Sequence, residues 1–327
     1  MAVLAPSVAA IRVAVRRALA GLPSEALVLV ACSGGPDSLA LAAATAFVAP
    51  RLGLRAGLVT VDHGLQPGSA QRAAAVAGWA ATVGFAPVEV AAVVVAGRAG
   101  GPEAAAREAR YEALVAVARR TGAAAVLLGH TRDDQAETVL LALARGAGPR
   151  GIAGMPPVRR LDGVTLMRPL LEISREQTRR ACTALGLTPW DDPHNVDPAF
   201  ARSRIRHEVL PALVRALGPR VVSNLARTAR LIAADVAALD ESAQNALDAA
   251  RVGSDRLDVA ALAGLAPAVR TRVLHAWARA LGVPGATLSQ RHVDALDALV
   301  TDWRGQGPVH LPGGARVSRR GGILVAD

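Results

Sequence analysis

Lysine is absent. All 37 basic residues of the 327-residue chain are arginines, and against 27 acidic residues they leave a formal charge of +10. A phosphate loop of the GK[ST] type is thereby excluded, because that loop reaches the β and γ phosphates with a lysine. Cysteine is scarce as well. Cys32 and Cys182 stand far apart with no CxxC pair, which excludes a disulfide framework or a thiolate zinc site and fits a reducing cytoplasm. Long apolar runs are missing too: none reaches the roughly 18 residues of a membrane span. The opening MAVLAPSVAAIRVAVRRALAG has the look of a secretory signal, but Arg12, Arg16 and Arg17 interrupt it at helical spacing, so it reads as an amphipathic helix. With 52% hydrophobic and 20% charged residues the chain is ordered and globular. The arginine excess suits a polyanionic partner, and a GC-rich genome accounts for it equally, along with the alanine and valine excess.

The expected fold class is α/β. Up to about residue 150, short β-type runs at Ala26–Cys32, Gly57–Asp62, Val88–Val95 and Ala124–Gly129 alternate with longer amphipathic segments. That is the pattern of a parallel sheet with helices on both faces, where ligands sit at the carboxyl ends of the strands. Beyond Arg215 nearly everything reads as helix up to Val300, and the tail VHLPGGARVSRRGGILVAD suggests a small hairpin. The expected division is 1–214 and 215–327.

The break after the first strand, SGGPDS, supplies Ser33, Gly34, Gly35, Pro36, Asp37 and Ser38. Consecutive backbone N–H groups in a glycine turn that leads into a helix form a concave anion site suited to pyrophosphate. The same residues also make a plain strand-to-helix turn with its caps. In GHTRDDQAET, Asp134 and Glu137 are three apart and share one helical face, able to hold an ammonium or simply to complement the helix dipole. His63 and His130 each follow a predicted strand, as structural hydrogen-bonders or as catalysts. Glu103, Arg107 and Arg110 share another helical face, ordinarily a solvated one. Arg202, Arg204 and Arg206 alternate in FARSRIRHEVLP, either an exposed basic turn before a helix or a set of nucleic-acid contacts. Cys32 reads as apolar filler.

SGGPDS resembles the SGGxDS signature of the PP-loop ATP pyrophosphatases, which cleave ATP between the α and β phosphates and adenylate a substrate oxygen. VDHGLQ (Val61 to Gln66), EAAAREARY (Glu103 to Tyr111), GHTRDDQAETVLLALARGAGPRGIAGM (Gly129 to Met155), RPLLEISREQ (Arg168 to Gln177), WDDPHN (Trp190 to Asn195) and RSRIRHEVLP (Arg202 to Pro211) narrow the resemblance to the tRNA(Ile)-lysidine synthetases. The agreement covers residues from about 26 to 211, and the chain looks like a short form without the longer C-terminal extension of some members. Ser203 departs from that family's RNRIRHE, which carries asparagine there.

The resemblance implies ATP-dependent ligation of free lysine to C2 of the first anticodon cytidine of a tRNA(Ile) reading CAU, with AMP and pyrophosphate released. It assigns Ser33 to Ser38 and Arg107 to the ATP phosphates, Asp134 and Glu137 to lysine, and Arg202, Arg204 and Arg206 to tRNA. Mg2+ arrives with ATP, held by phosphate oxygens and by Asp37. The proton released by the attacking amine goes to His130 or to a neighbouring carboxylate. Two readings compete: a PP-loop tRNA thiolase, which commonly needs cysteine pairs, and a nucleotide-regulated RNA-binding module without turnover. The expected setting is the cytoplasm with no membrane contact, and a homodimer is left open.

Overall fold

The computed structural model describes residues 4–62, 64, 68–94, 102–190, 197–285 and 287–327. His63 and all of WDDPHN except Trp190 lie outside the described residues, as does the end of the run expected to stop at Val95. The first strands form where the sequence has short apolar runs: β1 (Leu27–Ala31), β2 (Arg55–Asp62), β3 (Val88–Ala92) and β4 (Ala125–Leu128). They join β5 (Val158–Leu161) and β6 (Val164–Met167) in one sheet of order β3-β2-β1-β4-β6-β5. All neighbours are parallel except β5, which pairs antiparallel with β6.

Helices α1 (Pro6–Leu19), α2 (Pro36–Val48), α3 (Ser69–Thr82), α4 (Pro102–Thr121), α5 (Arg132–Ala144), α6 (Pro149–Ile152) and α7 (Arg175–Ala184) surround it. β1 shows why the sheet is covered on both faces. Its Val28 and Val30 pack with Ile11, Val15 and Leu19 of α1 and Leu41 of α2, while its Leu27 and Leu29 pack with Leu114, Val115 and Val117 of α4. Each such side chain removed from water contributes about 1.5–3 kcal/mol. α1 is the amphipathic helix read from the sequence, with Val8, Ile11, Val15 and Leu19 buried along one face.

Then come α8 (Ala201–Arg204), a π-helical turn over Ile205–Val209, and α9 (Leu210–Leu217), one continuous helical stretch. Arg202, Arg204 and Arg206 thus lie on helix, where one of the two sequence readings had an exposed basic turn before a helix. α10 (Val221–Ala250) follows, and the chain divides into two compact units at 1–232 and 233–327.

The second unit has α11 (Val259–Ala263), α12 (Pro267–Ala280) and α13 (Gln290–Thr301). Beside them lies an antiparallel sheet of β7 (Arg256–Asp258), β8 (Val309–His310), β9 (Arg316–Arg320) and β10 (Ile323–Ala326), in the order β7-β10-β9-β8. The tail hairpin is β9–β10, and β7 is a strand within the stretch read as helical. Trp277, Leu257, Leu274 and Leu296 fill this unit's core.

Candidate active site

The SGG turn leaves β1 at the carboxyl edge of the sheet. Gly34 has φ +83, and a Cβ there would stand 3.0 Å from a methyl of Val76, so both the backbone and the space call for glycine. Gly35 is the extended N-cap of α2 and Pro36 its first residue. The Ser38 hydroxyl donates to the Gly35 carbonyl (2.9 Å) and accepts from the Ser33 N–H (3.2 Å), which holds the turn closed. Cys32 and Cys182 lie beneath it as buried thiols, Cys182 donating to the Pro36 carbonyl at 3.3 Å. Trp190 N–H donates to the Gly34 carbonyl (2.9 Å), and the Arg72 guanidinium lies 4.0 Å over the Trp190 ring.

α5 starts beside this turn. A Cβ on Gly129 would stand 3.1 Å from the Ser38 nitrogen, so the end of β4 runs directly against the first turn of α2. Thr131 caps α5, and its N–H (2.8 Å) and hydroxyl (2.9 Å) both donate to Asp134 Oδ2. The other oxygen, Oδ1, accepts from Arg175 Nη2 at 2.8 Å and from Arg206 Nη2 at 3.4 Å. One turn on, Glu137 is fully buried and forms a bidentate pair with Arg206, Nε to Oε1 at 2.8 Å and Nη2 to Oε2 at 3.1 Å. Arg175 Nη2 reaches the same Oε1 at 3.2 Å, and Arg202 Nε lies 3.9 Å from Oε2. Asp37, on the first turn of α2, accepts the Thr178 hydroxyl on Oδ1 and has Arg175 Nε 3.8 Å from Oδ2. Three carboxylates from α2 and α5 thus meet three guanidinium groups from α7 and α8 through the π-helical turn.

A carboxylate as deeply buried as Glu137 is tolerable only with such pairing. Burial alone would push the Asp134 carboxyl up, but Arg175, the Thr131 N–H, His130 and Arg206 together hold it below the usual range. Burial pushes Asp37 up to about 6, with Asp134 adding to the shift and Thr178, Arg175 and Arg206 opposing it. His130 follows β4 and is driven down to about 4, first by burial and then by the charges of Arg168, Arg107 and Arg110, against the pull of Asp134. Its ring is neutral at pH 7, and its Nδ1 is buried without a hydrogen-bond partner.

The structure therefore brings together the SGG loop, Asp37, His130, Asp134, Glu137, Arg202 and Arg206. Arg107 is exposed on α4, stacked on Tyr111 yet near enough to act on His130. Arg204 points elsewhere. It is exposed and donates to the carbonyls of Pro198 (2.6 Å) and Ala199 (3.0 Å). Ser203 is buried. Three participants escaped the sequence reading: Arg175, Thr178 and Arg168. The capping box Ser174-x-x-Gln177 marks the start of α7 and would have located the first two.

A mostly parallel sheet with a glycine turn and a helix N-terminus at its switch point defines an α/β protein with a phosphate-binding turn. Residues 11–213 match the model of the PP-loop domain, and residues 257–324 match that of the TilS substrate binding domain. The fold is shared with the solved U34-tRNA thiolase NcsA of Methanococcus maripaludis at TM-score 0.57 and 18% identity, over 69% of this chain and 80% of that one. Curated tRNA(Ile)-lysidine synthases are far more similar in sequence. That of Salinispora tropica is 73% identical over 100% of this chain and 98% of its own length. Those of Thermobifida fusca and Streptomyces coelicolor are 58% and 54% identical, each match covering 98% of both chains. The chain belongs to the tRNA(Ile)-lysidine synthase family.

Proposed function

We propose that this protein ligates free lysine to C2 of the first anticodon cytidine of a CAU-reading tRNA(Ile), through an adenylated base, releasing AMP and pyrophosphate. The observation that carries the reading is that Asp37, Asp134 and Glu137 meet beside the SGG turn in a chain of this family. The backbone N–H groups of Gly34, Gly35, Asp37 and Ser38 within the Ser33–Ser38 turn, and the helix behind them, receive the ATP phosphates, with Arg107 adding the cation that a lysine-free loop lacks. Among the described residues no three His, Cys, Asp or Glu side chains are placed so as to hold a metal ion together. A single carboxylate, Asp37, at the mouth of a phosphate loop fits Mg2+, which keeps to phosphate oxygens, waters and one or two carboxylates. Bound there, it would neutralise charge on the departing pyrophosphate.

Asp134 and Glu137 hold the ammonium of lysine, in exchange for part of their arginine contacts. The proton of the attacking amine passes to His130, whose ring is neutral at pH 7, or to a neighbouring carboxylate. Arg202, Arg204 and Arg206 serve tRNA, Arg204 from the exposed side of its helix and the other two from beside the carboxylates. The absence of any described helix long and apolar enough to cross a membrane accords with a cytoplasmic enzyme.

The test is incubation with unmodified tRNA(Ile), ATP and labelled lysine. Label in the tRNA with stoichiometric AMP supports the reading. ADP and phosphate in place of AMP and pyrophosphate would overturn it, and so would thiolation of the tRNA.

A further inference from the structure

His130 Nδ1 and Arg168 Nε are both buried and have no hydrogen-bond partner. Such orphans are uncommon, and each is unfavourable unless something fills the place. They are also neighbours. His130 follows β4 and Arg168 follows β6, and β4 and β6 are adjacent parallel strands. The two residues thus leave the sheet at the same carboxyl edge, near enough for the Arg168 charge to act on the imidazole. Arg168 is 4% exposed, its guanidinium donates from Nη1 to the Pro156 carbonyl at 2.7 Å, and it has no carboxylate partner among the described residues. Arg107 and Arg110 bring further positive potential to the ring, against the pull of Asp134.

We propose that His130 and Arg168 form an oxyanion-binding subsite whose occupant is the carboxylate of the free amino acid. This rests on the reading of function above. An amino acid with one ammonium at Asp134 and Glu137 has a carboxylate to place, and a buried cation with uncommitted donor capacity lies at the same sheet edge, at the end of the strand next to the one that leads into α5. A site with carboxylates at one end and His130 with Arg168 at the other matches the two signs of such a ligand and disfavours a plain diamine. A nucleotide phosphate offers the same oxyanion chemistry and is the alternative source, since Gly129 seats this edge against the first turn of α2.

His130→Ala and Arg168→Gln are compared with the unchanged protein, using lysine and lysinamide as amine donors and ATP–pyrophosphate exchange as the amino-acid-independent step. If the carboxylate sits there, KM for lysine rises about tenfold or more in both variants, while in Arg168→Gln the lysinamide reaction and exchange hold steady and in His130→Ala KM for lysinamide holds steady whatever its kcat. A nucleotide phosphate in the subsite instead raises KM for ATP about tenfold and leaves lysine unmoved. Loss of kcat with both amines at unchanged KM assigns His130 to proton transfer alone and overturns the subsite, as does no change in any of these. Arg168→Gln gives up the Pro156 contact and risks misfolding. His130→Ala leaves that contact in place, and the ratio of its KM for lysine to its KM for lysinamide decides the matter whatever its kcat. If the unchanged protein makes no lysidine, the function reading fails, and calorimetric titration of inorganic pyrophosphate into it and into His130→Ala still tests the oxyanion chemistry: equal affinities would count against the subsite.

Discussion

Asp37 carries its environment in its acidity. An unfolded chain holds this carboxyl near 3.8 and the folded one near 6, so between those values the folded state keeps a proton that the unfolded state has lost. Stability of the ligand-free protein therefore falls as pH rises through that window and levels off above it. The shift corresponds to about 3 kcal/mol at most. Asp37→Asn cannot titrate, so its stability advantage over the unchanged protein should widen between pH 4 and pH 6.5 and then stay constant, as read from urea midpoints. An advantage independent of pH would contradict the burial argument. Glu137 gives the complementary case. Glu137→Gln keeps the shape and removes the charge that Arg206 and Arg175 share, so KM for lysine should rise about tenfold or more with KM for ATP unchanged. If the variant loses adenylation and still takes lysine normally, Glu137 belongs to the nucleotide instead.

At the level of elements, the helical stretch Ala201–Leu217 separates three arginines that the sequence alternation seemed to unite. Four residues apart on a helix, Arg202 and Arg206 face α5, and Arg204 between them faces outward. Arg204→Ala should flatten the salt dependence of tRNA binding by about 0.7 to 0.9 log units per tenfold salt, one phosphate contact's worth. Filter binding across a salt series reads this slope, and an unchanged one removes Arg204 from the interface. For α5 the measurable element is its cap: Thr131→Ala should cost about 1 kcal/mol of unfolding free energy. The first four strands and α5 were legible from apolar runs and capping residues. The β5–β6 hairpin was not, because β5 is an exposed edge strand reading VRRL, although Asp162 and Gly163 at φ 47 and 83 are the Asp-Gly turn that announces a hairpin. Nothing local in the sequence says that Arg175 and Arg206 will meet Glu137, since those contacts exist only once the sheet has brought α5 and α7 together.

For the whole molecule the net charge of +10 without a single lysine makes arginine the sole side-chain cation for a polyanion. Binding of tRNA should weaken steeply with salt, by roughly 0.7 to 0.9 log units per phosphate contact for each tenfold increase. A flat profile would mean recognition that bypasses the charge. The arrangement of the carboxylates also bears on how the chain comes off the ribosome. β1 to β4 are complete by residue 128 and β6 by residue 167, whereas the partners of Glu137 come at residues 175 and 206. A nascent chain can thus assemble its sheet early, with chains generally folding from the N-terminal side as they are made. Sealing α5 over Glu137 before residue 206 has emerged would leave that charge without its bidentate partner. Synthesis therefore imposes a timetable in which the carboxylate edge closes last, tens of residues after the scaffold that carries it.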